Sequence, residues 1–168
     1  MLGSIPSAVW IGKKYYGIDI REHGSKNAGT TNMLRVLGKR AALPVFVIDY
    51  FKGFVAVILT SLMRYDDNVS EAWLINLRII ATIFVVLGHI YPIFAGFKGG
   101  KGVAISVGIF AVVDWRCIAV VLGVFVALLL ITRIVSISSL IATISMPVCI
   151  ALFEREANEN VYISVALT

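Results

Sequence analysis

The sequence predicts an all-α protein that crosses a membrane several times. Hydrophobic residues make up 59% of the 168 residues and charged residues only 15%, whereas soluble domains have about 25% charged residues. The mean hydropathy is +0.91, which implies more apolar surface than a globule of this size buries. The apolar residues also form long runs, and a membrane helix needs about 20 residues. These observations favour a polytopic integral membrane helical bundle, with residues 1–168 as a single domain.

The apolar runs give the order of the predicted helices. An apolar stretch at 1–10 is too short to span a bilayer and resembles the inner part of a helix. A polar segment rich in Gly, Asn and Thr follows at 13–40. Apolar runs then occupy 41–63, 73–97, 103–113, 115–132 and 134–153, before a last apolar stretch from Val161. We expect five crossings and an incomplete helix at each end, with 103–113 the weakest because it covers barely half a bilayer.

Charge placement predicts the orientation of these helices. Alternate loops, counted from 13–40, carry ten Lys and Arg residues against two acids, and the other loops carry four against seven. Cytoplasmic loops carry the Lys/Arg excess, so the loops at about 13–40, 97–102 and 133–139 are predicted to be cytoplasmic. The loops around Asp66 and Glu156 are then outside. Topology explains most of the net charge of +5, and no nucleic-acid partner is expected.

A glycine-rich loop between two apolar runs is the first candidate for chemistry. Residues 96–102 read Gly-Phe-Lys-Gly-Gly-Lys-Gly. Glycines let successive N–H groups crowd against an anion, and lysines add positive charge. The loop lacks the Ser or Thr of a nucleotide P-loop, because Val103 follows Gly102. Phosphate binding and a flexible basic connector are both compatible with this composition.

The first cytoplasmic loop is dense in hydroxyl and amide groups. Ser25, Asn27, Thr30, Thr31 and Asn32 offer neutral hydrogen bonds, and Arg35 can hold a phosphate through two bonds. The alternative is a helix N-cap followed by an amphipathic helix at the membrane surface.

Other polar residues fall inside or beside the apolar runs. Asp49 and Lys52 share one helix face and can pair, either to steady the bundle or to serve a polar site. His89 closes a run shortly before the glycine-rich loop, although a lone histidine there is often only an interfacial anchor. Cys117 and Cys149 lie in apolar runs and are predicted to be small core residues rather than a disulfide. They have no metal-ligand spacing, so no metal or cofactor is predicted. The third cytoplasmic turn supplies Arg133, Ser136, Ser138 and Ser139, whose serines can also cap a helix or let helices approach closely.

Five short motifs, in order along the chain, resemble one family. The motifs are Gly3-Ser4-Ile5-Pro6-Ser7, the run from Gly24 to Asn32 together with Arg35, Asp49-Tyr50-Phe51-Lys52-Gly53, Gly88-His89-Ile90-Tyr91-Pro92, and residues 96–102. The chain resembles the bacterial acyl-phosphate:glycerol-3-phosphate acyltransferases of the PlsY type over essentially its whole length. The resemblance implies a seven-helix enzyme of the bacterial inner membrane with a cytoplasmic active site. Its substrates would be acyl phosphate and glycerol 3-phosphate, and its products lysophosphatidic acid and phosphate.

The resemblance also implies roles for particular residues. It points to Ser25, Arg35, Lys101 and Ser139 as catalytic, with Ser136 the alternative serine, and we add His89 because of its position. Substrate binding is predicted for Asn27, Thr31, Asn32, Lys98, Gly99, Gly100, Gly102 and Ser136. The family's first helix begins before Met1, and its C-terminal motif, with a histidine and an asparagine, is absent up to Thr168. The resemblance implies that this motif is needed for activity, so we interpret the chain as a piece of such an enzyme and expect residues 1–168 alone to show little transferase activity.

The predicted mechanism needs no nucleophile from the protein. The sequence has no His-x-x-x-x-Asp acyltransferase motif and no Gly-x-Ser-x-Gly elbow. Acyl phosphate is already an activated anhydride, so alignment of the two substrates and cations on the departing phosphate are sufficient. A substrate phosphate oxygen is the hypothetical general base. The alternative functions are a small anion transporter or channel with a basic cytoplasmic entrance, or a structural membrane subunit.

Overall fold

The described part of the chain consists of helices joined by turns and loops. The computed structural model describes residues 1–62 and 70–166. Within these ranges the α-helices are α1 (Ser7–Tyr16), α2 (Thr30–Leu37), α3 (Lys39–Ser61), α4 (Glu71–Ile90), α5 (Val103–Val113), α6 (Trp115–Thr132) and α7 (Val135–Ala166). Short 3₁₀ turns occupy Leu2–Ser4, Ile20–Glu22 and Ile93–Ala95. The predicted all-α class is confirmed.

Three helical segments of the described chain are long and apolar enough to cross a membrane. They are α3, the segment Ala72–Ala95 that includes most of α4, and α6. Helix α5 has 11 residues and rises only about 16 Å, roughly half of the hydrocarbon core. Five full crossings are therefore not reached by length and composition within the described residues, and 103–113 is the short run, as predicted.

The last predicted run continues further than expected. Helix α7 extends from Val135 to Ala166 without a break, so the predicted loop around Glu156 is wrong. Charge suggested a loop there, but residues 154–160 contain neither Gly nor Pro, and Glu, Arg and Ala are good helix formers. The predicted loop around Asp66 lies outside the described residues.

Two of the predicted cytoplasmic loops are partly helical. Helix α1 runs through Lys13 and Lys14 to Tyr16 and ends at Gly17, whose φ is +69°; cations are favourable in a last turn. Helix α2 then occupies residues 30–37 of the segment predicted as a loop. The helix of the alternative interpretation is therefore present, but its N-cap residue is Gly29 and no side chain caps it. The third predicted loop, 133–139, reduces to Arg133 and Ile134, since α7 begins at Val135.

The chain divides into two compact units, the first from Met1 to Val113. Helix α3 is the centre of this unit and packs against α1, α2, α4 and α5. Glycines on facing helices let α3 and α5 touch through their backbones: a Cβ on Gly53 would meet the Ile105 carbonyl, and one on Gly108 would meet the Tyr50 carbonyl. Small residues of this kind are typical where membrane helices cross closely.

The second unit, from Asp114 onward, is built from α6 and α7. Asp114 caps α6 by accepting hydrogen bonds from the N–H groups of Arg116 and Cys117. Hydrogen bonds from the Arg116 side chain lower the pKa of Asp114 below its ordinary value. Cys117 and Cys149 are buried free thiols, in agreement with their prediction as core residues.

Candidate active site

Asn32 folds the first loop of the candidate site. Its side chain is buried, its Oδ1 accepts a hydrogen bond from the Ser25 N–H at 2.9 Å, and its Nδ2 donates to the carbonyls of Ile20 and His23 at 3.0 Å each. Both amide hydrogens of Asn32 are thereby used. Asn32, predicted to bind substrate, therefore holds the loop in shape, and it leaves the Ser25 side chain exposed.

The glycine-rich loop lies against the C-terminal end of α4. The N–H of Gly99 donates to the Ile90 carbonyl at 3.1 Å, and the N–H of Gly100 donates to the His89 carbonyl at 3.2 Å. The predicted anion nest is therefore wrong for these two N–H groups, because backbone carbonyls already occupy them. Glycine is needed here for another reason: a Cβ on Gly99 would collide with the His89 carbonyl, and one on Gly100 with the His89 ring.

The end of the glycine-rich loop is better suited to an anion. Gly102 has a φ of +84° and leads directly into α5, and the side chains of Lys98 and Lys101 are exposed. The first N–H groups of a helix have no partner within the helix, and they carry the positive end of its dipole. Lys101 and the start of α5 thus place positive charge and N–H groups within three residues of each other.

One contact joins the two loops. The carbonyl of Ala28 lies 3.1 Å from the point where a Cβ of Gly100 would stand. Helix α2 begins two residues after Ala28, and α5 begins three residues after Gly100. Three residues of chain reach about 10 Å at most, so both helix N-termini lie within that distance of this contact. Two loops that meet thus contain Ser25, Asn27, Lys98, Lys101 and Gly102, and Thr31 lies in the first turn of α2.

His89 lies next to Gly100, beside the contact between the two loops and at the end of a buried polar cluster. The imidazole is buried, with Nε2 facing Gly100 and Nδ1 at 3.9 Å from Asp49 Oδ1. Asp49 Oδ1 also accepts a hydrogen bond from the Ser7 hydroxyl at 2.6 Å and pairs with Lys52 Nζ at 2.6 Å. The predicted Asp49–Lys52 pair is confirmed. The His89 ring packs against Gly100 and supports the glycine-rich loop, whereas the sequence analysis predicted a catalytic role.

Asp19 and Arg21 form an ion pair that sequence reasoning missed. The Arg21 Nε and Nη2 donate to the two carboxylate oxygens of Asp19 at 2.9 and 2.6 Å, and Nη1 donates to the Ala95 carbonyl at 2.6 Å. The hydrogen bonds from Arg21 hold the pKa of Asp19 well below its ordinary range, and those to Asp19 raise the pKa of Arg21. In the sequence, Asp-x-Arg indicates no more than a helix cap, because Ala95 is remote along the chain.

An open cleft of about 550 Å³ lies beside this ion pair. Its lining consists of Asp19, Arg21, Glu22, Phe94, Ala95, Gly96 and Lys98. Two acids and two cations line it, so the cleft as a whole has little net charge. No group of three His, Cys, Asp or Glu side chains suited to a metal ion occurs among the described residues.

The remaining predicted residues lie on α2 and α7. Arg35 is exposed in the last turn of α2. Ser139 lies in the first turns of α7, in the second unit, and Ser136 precedes it on the same helix, where its side chain lies outside the described residues. The catalytic role of Ser139 stays a prediction from the family resemblance.

The fold and the site together define an integral membrane helical protein with basic, glycine-containing loops suited to an anionic group. Comparison with known proteins identifies the family. A family model described as glycerol-3-phosphate acyltransferase matches residues 1–168. The glycerol-3-phosphate acyltransferase of Salinibacter ruber is 43% identical over 158 residues, which cover 90% of this chain and 69% of that protein. That of Streptococcus pneumoniae is 45% identical over 156 residues, which cover 91% and 68%. The chain belongs to the glycerol-3-phosphate acyltransferase family.

Two solved structures have the same fold. Both are crystal structures of PlsY, an integral membrane glycerol 3-phosphate acyltransferase. The glycerol 3-phosphate form aligns with a TM-score of 0.75 and 38% identity, over 90% of this chain and 72% of that chain. The lysophosphatidic acid form aligns with a TM-score of 0.72 and 37% identity, over 90% and 71%. The recognition of the PlsY type from sequence motifs is confirmed.

Proposed function

We propose that this chain transfers a fatty acyl group from acyl phosphate to the 1-hydroxyl of glycerol 3-phosphate. The products are lysophosphatidic acid and inorganic phosphate, an early step of phospholipid synthesis. Family membership supports the reaction class, and the two PlsY structures support the acceptor and the product by the forms in which they were crystallised. The acyl phosphate donor rests on the motif resemblance.

The contact between Ala28 and Gly100 is the observation that carries this proposal. It brings a loop with hydroxyl and amide groups against a loop with two exposed lysines. Both substrates carry a phosphate, and lysine and arginine make the strong, charge-assisted hydrogen bonds that a phosphate accepts. We assign Lys98, Lys101 and Arg35 to the two phosphates, and Ser25, Asn27 and Thr31 to neutral hydrogen bonds.

The chemistry follows from this arrangement. The glycerol hydroxyl oxygen attacks the carbonyl carbon of acyl phosphate, a C–O ester bond forms, and the bond from that carbon to the phosphate oxygen breaks. The hydroxyl proton passes to a phosphate oxygen of the substrates, and inorganic phosphate leaves with the electron pair. Alignment of the two reactants supplies about 7–11 kcal/mol of the barrier, and cations on the departing phosphate stabilise its charge.

The proposed location is the bacterial inner membrane, with the site on the cytoplasmic side. The excess of Lys and Arg in the loops that carry Ser25 and Lys101 supports this orientation. Membrane lipids would then surround the exposed faces of α3, α4 and α6.

An assay of the full-length enzyme, purified in detergent, tests the proposal, since this chain covers 69% of its relative from Salinibacter ruber. Acyl phosphate and glycerol 3-phosphate together should give lysophosphatidic acid and inorganic phosphate in equal amounts. Without glycerol 3-phosphate, phosphate release should fall to the rate of spontaneous hydrolysis. A monodisperse, folded preparation that forms no lysophosphatidic acid would overturn the proposal.

The same preparation distinguishes the transporter alternative. Reconstituted into liposomes, a transporter would accumulate labelled glycerol 3-phosphate without acyl phosphate. The acyltransferase should instead give no uptake above protein-free liposomes and should require the acyl donor for any incorporation of label into lipid.

A further inference from the structure

The guanidinium group of Arg21 has a role that its own contacts define. Three of its nitrogens are engaged: two bind the Asp19 carboxylate, and the third donates to the Ala95 carbonyl. Lys13 Nζ also approaches Asp19 Oδ2 at 3.2 Å. Because Asp19 neutralises its charge, Arg21 is poorly suited to bind a substrate phosphate. Its hydrogen bonds connect the segment around Asp19 with the segment around Ala95.

Arg21 is itself held firmly within the first loop. Arg21 lies in the 3₁₀ turn Ile20–Glu22, which Asp19 caps by accepting a hydrogen bond from the Arg21 N–H. Asn32 on α2 binds the Ile20 carbonyl of the same turn and, through its Oδ1, the N–H of Ser25. The positions of Arg21, Ser25 and α2 are therefore linked by hydrogen bonds.

The partner of Arg21, the Ala95 carbonyl, is held at the start of the glycine-rich loop. Ala95 ends the 3₁₀ turn after α4, and the N–H groups of Ala95 and Phe97 both donate to the Pro92 carbonyl, at 3.1 and 2.9 Å. Gly96 and Phe97 follow with φ angles of +62° and +61°, a left-handed pair that turns the chain toward Lys98. The Ala95 carbonyl thus sits on a tightly constrained turn.

We propose that Arg21 and Asp19 form a positioning clamp that sets the distance between Ser25 and Arg35 on one side and Lys98 and Lys101 on the other. This inference rests on the proposed function, since those residues are assigned to the two substrates. The clamp acts through backbone positions and does not contact the reacting atoms. A displacement of about 1 Å between reacting groups is enough to cost about 100-fold in rate.

Kinetics of three variants test the clamp. Asp19→Asn retains the shape of the side chain and leaves the charge of Arg21 unopposed. Arg21→Gln removes the guanidinium group, and the third variant carries both changes. Each single change should lower kcat for acyl transfer by about tenfold to hundredfold, and the double variant should lose no more than the stronger single, because both changes break one unit. Lys14→Gln is the control, since Lys14 is an exposed cation on α1 and should leave kcat unchanged.

The Asp19→Asn variant separates positioning from direct binding. If Arg21 bound a substrate phosphate, freeing its charge should lower the KM for that substrate and maintain kcat. A lower KM with an unchanged kcat would overturn the clamp. Variants with a lower thermal midpoint and an unchanged kcat would overturn it as well.

A distance measurement decides the question without relying on turnover. Spin labels are placed at Leu34 on α2 and Phe97 on the glycine-rich loop, both of which are exposed, while the buried native cysteines remain. The labelled parent and Lys14→Gln should give one narrow distance distribution, and Asp19→Asn and Arg21→Gln should give broader or shifted ones. An unchanged distribution in both variants overturns the clamp. A parent without transferase activity overturns the proposed function instead, and the distances still decide the clamp.

Discussion

Two sets of charged side chains in the first unit differ in their capacity to receive a ligand: a buried ion pair on α3, and three exposed cations. Asp49 and Lys52 are almost completely buried and bind each other, so they have little capacity to receive a ligand. Lys98, Lys101 and Arg35 are exposed. A buried charge costs several kcal/mol unless it is paired, whereas an exposed lysine retains its charge for a substrate. We therefore assign the proposed substrate contacts to these exposed side chains.

Lys101 is the lysine nearest the start of α5, and its replacement should affect turnover. Lys101→Ala should lower kcat by about tenfold to hundredfold, since a charged hydrogen bond is worth about 1.5–3 kcal/mol. Lys101→Arg should retain part of the rate. Steady-state kinetics with each substrate varied in turn provide the measurement, with Lys14→Ala as the control. An unchanged kcat would mean that the loop is only a connector.

Asp19 gives a prediction about pH. Its pKa in the folded protein is lowered by Arg21, so its stabilising effect is fully present above the unfolded value of about 3.9 and is lost as pH falls through the lower folded value. The difference in thermal midpoint between the parent and Asp19→Asn should therefore be the same at pH 8 and pH 5 and should shrink below about pH 4. A difference that already disappears between pH 8 and pH 6 would contradict this account.

At the scale of helices, α3 and α5 approach so closely that their glycines become structural requirements. Gly53 and Gly108 each face a backbone carbonyl of the other helix. Gly53→Ala and Gly108→Ala should each lower the free energy of unfolding by about 1–3 kcal/mol, the usual cost of overpacking. Thermal unfolding in detergent measures this.

Gly123 supplies the matched control for these two variants. It lies within α6 and has nothing within 4 Å of its Cβ position. Gly123→Ala should leave the thermal midpoint unchanged or raise it slightly, because Ala is the better helix former. Equal losses at all three positions would show that the close approach of α3 and α5 is not the cause.

The pair on α3 also fixes the N-terminal stretch, because Lys52 donates to the Ile5 carbonyl and Asp49 accepts from the Ser7 hydroxyl. Asp49→Leu or Lys52→Met alone should destabilise by about 3–5 kcal/mol, since each leaves a buried charge without its partner. The double variant should lose less than either single variant. A double variant that loses the sum of both would indicate that the two charges act independently.

The sequence predicted the helices well because their apolar runs are long and bounded by glycine and charge. It failed where the fold decides which group a residue binds. Gly99 and Gly100 read as ligand-binding glycines, yet their N–H groups bind the end of α4. Asn32 read as a ligand residue, and its three partners lie within its own loop. Arg21 showed no signal at all, since only the fold brings Ala95 to its guanidinium.

For the whole molecule, the charge asymmetry predicts which face is cytoplasmic. Phe97 and Trp115 are both exposed. Phe97 lies in a loop predicted to be cytoplasmic, and Trp115 begins α6 at the end predicted to face outside. Trp115→Cys should react with an impermeant thiol reagent in intact cells, and Phe97→Cys only after the membrane is permeabilised. The parent, whose cysteines are buried, measures the background. The reverse pattern would invert the proposed topology.

The hydrogen bond from Arg21 to Ala95 also bears on how the protein is made. The two residues are 74 positions apart, and a ribosome adds about 5–20 residues per second. Arg21 therefore leaves the ribosome about 4–15 s before the carbonyl that it will bind. Asp19 is already present to pair with it during that interval, so the charge of Arg21 is balanced before Ala95 is synthesised. The site is complete only when synthesis has passed the glycine-rich loop.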